Sequence, residues 1–238
     1  MAAPGFFSAD LPEAESFWLD AATARHVVQV LRMQPGGIIR LTNVAGVTAE
    51  AQVLETGKKG CLVQPGERTV DPEPVKHTTV AISLLKNTAR FEWFLEKATE
   101  LGIRRIIPLL CRRTEKQHFR RDRMQSILVS ALIQSQQSWL PQLDDPMPFA
   151  VFAALQQAGA KGIGYCGEGN KMPLNRFPGL ASLRCTLAIG PEGDFAEEEI
   201  AMATANGFTL ISLGEQRLRT ETAGLAAAVM MQQSRDQG

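Results

Sequence analysis

A chain of 238 residues, 45% hydrophobic and 21% charged, is long enough for one large domain or two unequal ones and can bury a core. Its formal net charge is zero, which excludes a surface of uniformly positive potential. No stretch approaches the roughly 20 apolar residues of a membrane span. The start, MAAPGFFSADLPEAE, has neither the basic nor the apolar region of a secretory signal, so a soluble cytoplasmic protein with no membrane partner is expected.

Residues 1–70 predict a small β-rich module. DAATARHVVQVLRM (20–33) reads as one short helix, stopped by QPGG. IIRLTN, VTAEAQVLE and CLVQPGE then form a meander of short strands, which suits a small barrel better than an open sheet with free edges. GERTVDPEPVK (66–76) has two prolines and no core pattern, and reads as the linker to a second domain over 77–238.

From Thr78 strands and helices alternate. TTVAISLLK is a strand, and RFEWFLEKATELG a helix with Phe91, Phe94, Leu95, Ala98 and Leu101 on one face and Gly102 at its stop. IRRIIPLL is the next strand, and DRMQSILVSALIQSQQSWLP a long helix ended by Pro141. FAVFAALQQAG, KGIGYCG, CTLAIG, AEEEIAMATANG, FTLISLG and ETAGLAAAVMMQQS follow as helix, strand, strand, helix, strand and helix. This order predicts an α/β domain around a largely parallel sheet.

Charge is unevenly spread. Arg104, Arg105, Arg112, Arg113, Lys116, Arg120, Arg121 and Arg123 face only Glu115 and Asp122 within the same segment, a local excess of six positive charges. Such a stripe on a neutral protein is a footprint for a polyanion, and a solvated helix face would mix both signs. Cys61, Cys111, Cys166 and Cys185 lie far apart, and His26, His77 and His118 form no cluster with them. Isolated reduced thiols and no metal are expected.

Ligands of a parallel sheet settle at the carboxyl ends of its strands, and two unusual loops fall there. One is Gly190-Pro191-Glu192-Gly193-Asp194, the other LGEQRLRTETAG (213–224). Neither contains G-x-G-x-x-G or a GK[ST] ending, so a dinucleotide or nucleoside triphosphate is disfavoured. Backbone held by a Gly-Pro turn can read an adenine edge, and Glu192 would suit a cation. S-adenosylmethionine meets both demands; a tight turn capping a helix through Asp194 accounts for the first loop nearly as well.

FEWFLEKATELGI, IGPEGDF before an acidic helix start, LGEQRLRTETA, and HVVQVLRMQPGG near the start occur in an order and spacing that resembles the RsmE family of SPOUT-class methyltransferases. The likeness covers nearly the whole chain. It implies a PUA-like barrel, then an α/β domain with a C-terminal trefoil knot, working as a homodimer. It also implies transfer of a methyl group from S-adenosylmethionine to N3 of one uridine in 16S ribosomal RNA of the small subunit. By position in the family motifs, Ile189, Gly190, Pro191, Glu192 and Gly193 form one wall of the donor site. Leu213, Gly214, Leu218, Arg219, Thr220, Thr222 and Ala223 wrap it, and Leu109 and Leu110 add apolar contact. Asp194 and Arg112 depart from many relatives, which carry a glycine and an acidic residue there, and Ile133-Gln134 from some, which carry a Glu-Gln pair.

Uracil N3–H is a weak acid, so its developing anion needs a cation or its proton a base. Arg219 and Glu221 are the catalytic candidates, with Arg219 preferred. Arg90, Arg113, Lys116, Arg120 and Arg121 are candidates for the RNA backbone, Arg113 matching a family arginine. A ribose 2′-O methyltransferase and a catalytically silent RNA-binding protein are the competing readings.

Overall fold

The computed structural model describes residues 3–9, 11–13, 15–115, 118–155 and 158–233. Two units divide the chain. One comprises residues up to Glu73 together with Val129–Leu140; the other comprises Pro74–Leu128 and the chain from Pro141 onward.

In the first unit, β1 (Gly5–Phe7), β2 (Phe17–Trp18), β3 (Ile38–Thr42), β4 (Val47–Gly57) and β5 (Gly60–Val70) form a sheet in the order β1-β3-β4-β5-β2. Only β1 and β3 run parallel. The two-residue period of β4 buries Ala49, Ala51 and Val53, and the last two join Ile39, Leu41, Cys61 and Val63 in one core cluster. Helix α1 (Ala21–Arg25) starts where Asp20 accepts the N–H groups of Ala22 and Thr23 at 3.0 and 3.1 Å. The expected helix then widens into a π turn over His26–Val30. The two strands with no sequence signal, β1 and β2, are too short to show a period.

GERTV is not a connection. Gly66–Val70 complete β5, with Val70 paired to Val47, because a long β-ribbon satisfies its own backbone whatever its composition.

The second unit carries β6 (His77–Ser83), β7 (Arg105–Leu110), β8 (Gln142–Leu143), β9 (Met147–Pro148), β10 (Ala160–Gly164), β11 (Met172–Pro173), β12 (Arg184–Ile189) and β13 (Thr209–Ser212). All pairings are parallel, in the order β11-β13-β10-β12-β6-β7-β8, with β9 also on β7. Helices α2 (Thr88–Glu100), α3 (Arg121–Gln134), α4 (Phe149–Ala154), α5 (Glu197–Ala205) and α6 (Thr220–Gln233) connect or flank these strands. β6 and β12 are buried along almost their whole length, as central strands of a parallel sheet must be.

α2 is capped by Asn87, which accepts the Ala89 N–H at 3.0 Å, and it buries Phe91, Phe94, Leu95 and Ala98. Phe94 packs beside α6 so closely that a Cβ on Gly224 would stand 2.8 Å from its ring and 2.7 Å from Ile82. That contact explains the small residues of α6, since only glycine and alanine let its backbone come so near.

The long helix does not reach Pro141. α3 ends at Gln134, and Gln136 adopts a left-handed φ of 56° while Gln137 donates to Leu132 at 3.1 Å. Beyond that stop, Leu140 donates to Val44 at 2.9 Å and the Trp139 indole donates to the Asp71 carbonyl at 3.1 Å. Nothing in the sequence breaks the helix before Pro141, and the apolar Trp139 and Leu140 lie beyond its end.

Candidate functional site

Both glycine-containing loops fall at the carboxyl edge of the parallel sheet, and two hydrogen bonds join them. β12 ends at Ile189, and the next carbonyl, of Gly190, accepts the Thr220 hydroxyl at 3.0 Å from the first turn of α6. Arg217 adds a bond to the Glu192 carbonyl at 3.3 Å. The turn itself is closed by Asp194 N–H to Pro191 O at 2.8 Å. Between the loops lies a cavity of about 630 Å³, within the range of small-molecule sites.

Of the residues expected to line a donor site, Ile189, Gly190, Pro191, Glu192, Leu213, Gly214, Leu218, Thr220 and Ala223 border this cavity. Leu109 does not. It is fully buried in the core with Phe149, Phe195 and Ala188, because β7 lies two strands from β12 and its inward side chains fill the sheet face. Leu110, half-buried at the end of β7, is outside the lining as well, and Gly193 faces Arg113 instead. Thr222 is exposed and borders a neighbouring groove of about 640 Å³ along α6. Arg219 is exposed and outside the lining, and its guanidinium has no partner among the described residues.

The other wall had no motif to announce it. Gly164, Tyr165, Cys166, Lys171 and Pro173, from the end of β10 through β11, line the cavity with Asp194, Ser212, Glu215, Gln216 and Arg217. The glycine of KGIGYCG at a strand end was the signal available. Gly214 borders the cavity with φ +124° and open space where a Cβ would go, a conformation that favours glycine. Gly190 is glycine for a different reason. A Cβ there would meet the Phe195 ring at 3.0 Å and the Phe195 nitrogen at 3.2 Å, so its hydrogen faces the core and not the cavity. A bulky residue at 190 would therefore disturb Phe195 packing, not fill the ligand space cleanly.

Glu221 lies in the first turn of α6, where a carboxylate favours the helix N-terminus. It is 7% exposed; one oxygen faces Arg90 Nε at 3.6 Å, and the other is buried with no partner among the described residues. The same guanidinium bonds Glu192 at 3.0 Å. Arg90, expected on an RNA phosphate, thus sits between two carboxylates of the candidate site.

The basic segment is largely neutralised by its own fold. Arg105 makes a two-pronged pair with Asp144 at 2.5 and 3.1 Å, Arg112 meets Glu198 at 2.9 Å, and Arg123 meets Glu92 at 2.5 Å. Arg121 holds Asp145 at 2.6 Å and the Leu143 carbonyl at 2.9 Å. Arg113 donates to the Gly193 and Phe195 carbonyls at 2.6 and 3.3 Å, bracing the Gly-Pro turn. Of the RNA candidates, Arg120 alone is exposed with no side-chain hydrogen bond or ion pair among the described residues, though its charge is felt by Glu92; Lys116 lies outside them. Charge counting along the chain missed partners that come from other elements.

Glu199 caps α5 by accepting the Ala196 N–H at 2.8 Å and takes the Arg112 N–H at 2.9 Å, which fixes the start of the helix after the turn. Cys111, beneath it, is buried, and burial pushes its thiol up to about 12. It cannot serve as a thiolate nucleophile near neutral pH. Among the described residues no group of three or more His, Cys, Asp or Glu could hold a metal ion, and no helix is long and apolar enough to cross a membrane.

Comparison with known proteins gives a consistent set of likenesses. A family described as RNA methyltransferase domain matches residues 71–232, and one described as RNA methyltransferase PUA domain matches residues 19–66. Over 217 residues the chain is 34% identical to ribosomal RNA small subunit methyltransferase E of Synechocystis sp., covering 88% of this chain and 70% of that protein. A probable rRNA-methyltransferase from Porphyromonas gingivalis shares the fold with a TM-score of 0.87 and 32% identity, covering 97% of this chain and 98% of the other. A ribosomal RNA small subunit methyltransferase E from Neisseria gonorrhoeae, bound to S-adenosyl methionine, matches with a TM-score of 0.87 and 27% identity over 98% of both chains.

Proposed function

The chain belongs to the RNA methyltransferase family that includes ribosomal RNA small subunit methyltransferase E, and from that premise we propose that it moves a methyl group from S-adenosylmethionine to N3 of one uridine in 16S ribosomal RNA. The observation that carries this reading is the cavity of about 630 Å³ between two loops tied by the Thr220–Gly190 bond. Ile189, Pro191, Leu213 and Leu218 supply apolar surface for an adenine, and Glu215 and Glu192, the latter shared with Arg90, supply carboxylates for a cationic ligand. Lys171 is turned onto the Cys166 and Gly167 carbonyls and Arg217 onto that of Glu192, so neither is arranged as a phosphate cradle.

Methyl transfer is an in-line displacement at a carbon that the sulfonium already activates. The protein's work is to hold donor and base aligned at roughly 3–3.5 Å. Uracil N3 is occupied in a base pair, so the target nucleotide must be unpaired or turned out of its stack. Arg219, with a free guanidinium on the loop next to the cavity, stabilises the anion that develops as N3 loses its proton. Glu221, facing Arg90, acts on orientation more than as the proton acceptor. Arg120 is the remaining described candidate for a backbone phosphate.

The domain reading is a PUA-like RNA-binding barrel over 1–70 and a SPOUT domain over 77–238, with the 213–224 loop and α6 drawn into a trefoil knot. Support comes from the PUA match at 19–66 and from the all-parallel sheet. A homodimer would cover the apolar groove of about 640 Å³ formed by Leu213, Leu225, Ala226, Val229 and Met230. Light scattering on the purified chain tests that, and a monomer at micromolar concentration sinks it. A cytoplasmic site of action follows from the ribosomal substrate.

The test of function is nucleoside analysis. Unmethylated small-subunit RNA or small subunits, incubated with the protein and labelled S-adenosylmethionine, should yield 3-methyluridine. Label in 2′-O-methyl nucleosides would assign a different reaction, and no donor binding by calorimetry would leave only an RNA-binding protein.

A further inference from the structure

The cavity wall that carries no family motif depends on one carboxylate. Asp194 has φ +64°, a left-handed conformation that costs a non-glycine residue energy. What holds it there is its own side chain. One oxygen accepts the Phe195 N–H at 2.8 Å and the other the Cys166 N–H at 2.9 Å, while its backbone N–H closes the turn on Pro191. Cys166 belongs to the strap between β10 and β11, which borders the cavity through Tyr165, Cys166 and Lys171.

The strap is folded on itself. Lys171 donates to the Gly167 carbonyl and, at 3.4 Å, to that of Cys166, and its ammonium stands 5.8 Å from the Tyr165 ring centre. A Cβ at Gly167 would collide with that ring. Among the described residues, Asp194 is the one side chain from outside 166–171 that bonds to this segment. A glycine at 194 would relieve the backbone and release the strap; aspartate accepts the strained φ and keeps it.

We propose that Asp194 is a positioning residue for the methyl donor: it fastens the strap Tyr165–Lys171 to the Gly-Pro turn and so sets the wall against which the donor is held. The inference rests on the donor-site reading above and specifies which contact sets the position of that site's wall. Hydrogen bonds to a charged acceptor are among the stronger ones, so their loss should be felt in donor affinity and residence time.

The strap carries its own reporter. Cys166 is exposed, whereas Cys61, Cys111 and Cys185 are buried. Partial desolvation by its neighbours and the nearby Asp194 carboxylate raise its thiol, so labelling rates are compared after correction for the thiolate fraction measured in each protein. The experiment times the reaction of a neutral maleimide with Cys166 in the full chain, with and without S-adenosylmethionine, beside donor affinity by calorimetry and donor KM and kcat in the RNA assay.

In the wild type, donor should protect Cys166. In Asp194→Gly, corrected labelling without donor should rise about 10-fold, donor Kd should rise about 10-fold, and the loss should fall on donor KM more than on kcat. Asp194→Asn keeps an oxygen for one of the two N–H groups, so it should lie between wild type and the glycine variant. Unchanged labelling and Kd in Asp194→Gly would overturn the proposal. So would Asp194→Asn labelling as fast as Asp194→Gly, because charge alone would then account for the change. If the wild type neither binds S-adenosylmethionine nor is protected by it, the donor-site reading has failed, a result distinct from a donor that binds while the strap stays indifferent to residue 194.

Discussion

The segment from 104 to 123 and the loop from 213 to 224 both carry arginines, but the structure uses them differently. In the first, Arg105, Arg112, Arg121 and Arg123 face carboxylates drawn from α2, α5 and the chain between β8 and β9, and Arg113 spends its guanidinium on backbone carbonyls. In the second, Arg217 braces Glu192 while Arg219 has no partner among the described residues. An excess of charge along the chain therefore says little about what a site offers a ligand. A guanidinium can meet an incoming anion without first losing a partner only where the fold has left it free.

Arg219→Ala tests the sharper half of that contrast and should have the largest effect. A charge-stabilising group that acts on the developing uracil anion costs about 10²–10³ in kcat when removed, with little change in RNA KM. Lysine should rescue poorly, since a point charge does not reproduce the planar fork. A near wild-type single-turnover rate at saturating donor and RNA would move catalysis elsewhere. Glu221→Gln, which keeps shape and removes the charge facing Arg90, should cost less, about 10-fold, if it orients and does not accept the proton.

Arg113→Ala should affect the donor and not the RNA. Its two bonds support the carbonyls of Gly193 and Phe195, so donor Kd should rise about 10-fold while the salt dependence of RNA binding stays unchanged. A flatter salt slope would return Arg113 to the phosphate-binding set. Next in size is Arg120→Ala, expected to lower the salt slope by roughly one, the mark of one lost phosphate contact. Arg121→Ala, already paired with Asp145, should change it by less, and equal effects would erase the distinction between free and committed arginines.

The smallest effect belongs to Glu92, whose carboxyl is held below its ordinary range, chiefly by the hydrogen bond from Arg123. A depressed folded-state value means stability that is present above the unfolded value and lost as pH falls through the folded one. Glu92→Gln should therefore lower the urea midpoint slightly at pH 7, and the difference from wild type should shrink below the ordinary carboxylate range. A difference that persists in acid would point to packing by the side chain, not charge.

What was legible followed from how far each interaction reaches along the chain. The second unit's longer strands and its helices were readable because central parallel strands and the buried face of α2 impose strong local patterns, whereas the two-residue β8, β9 and β11 are too short to show one. The end of α3 was not, since no helix-breaking residue stands before Pro141, while Trp139 and Leu140 pair with Ala45 and Val44 far away in sequence. Gly190 was recognised as special, but its reason, the Phe195 ring, involves packing that only the folded turn displays. Leu109 looked available at a strand end and is core. The wall from Tyr165 to Lys171 rests on a carboxylate 28 residues beyond Cys166, a distance at which composition carries no signal.

The strand order has a consequence for how such a chain is made. β6 lies between β7 and β12, and its register with β12 sets His77 against Arg184. During synthesis β6 and β7 emerge early, and one edge of their pair stays open until residues 184–189 leave the ribosome. That edge is apolar and hydrogen-bonding, the kind other chains can add to. The Thr220–Gly190 bond can form only later still, when the start of α6 has arrived. Each new copy must therefore protect an unfinished sheet before it can bind anything, and slowed translation past β7 should show up first as aggregation rather than as lost activity.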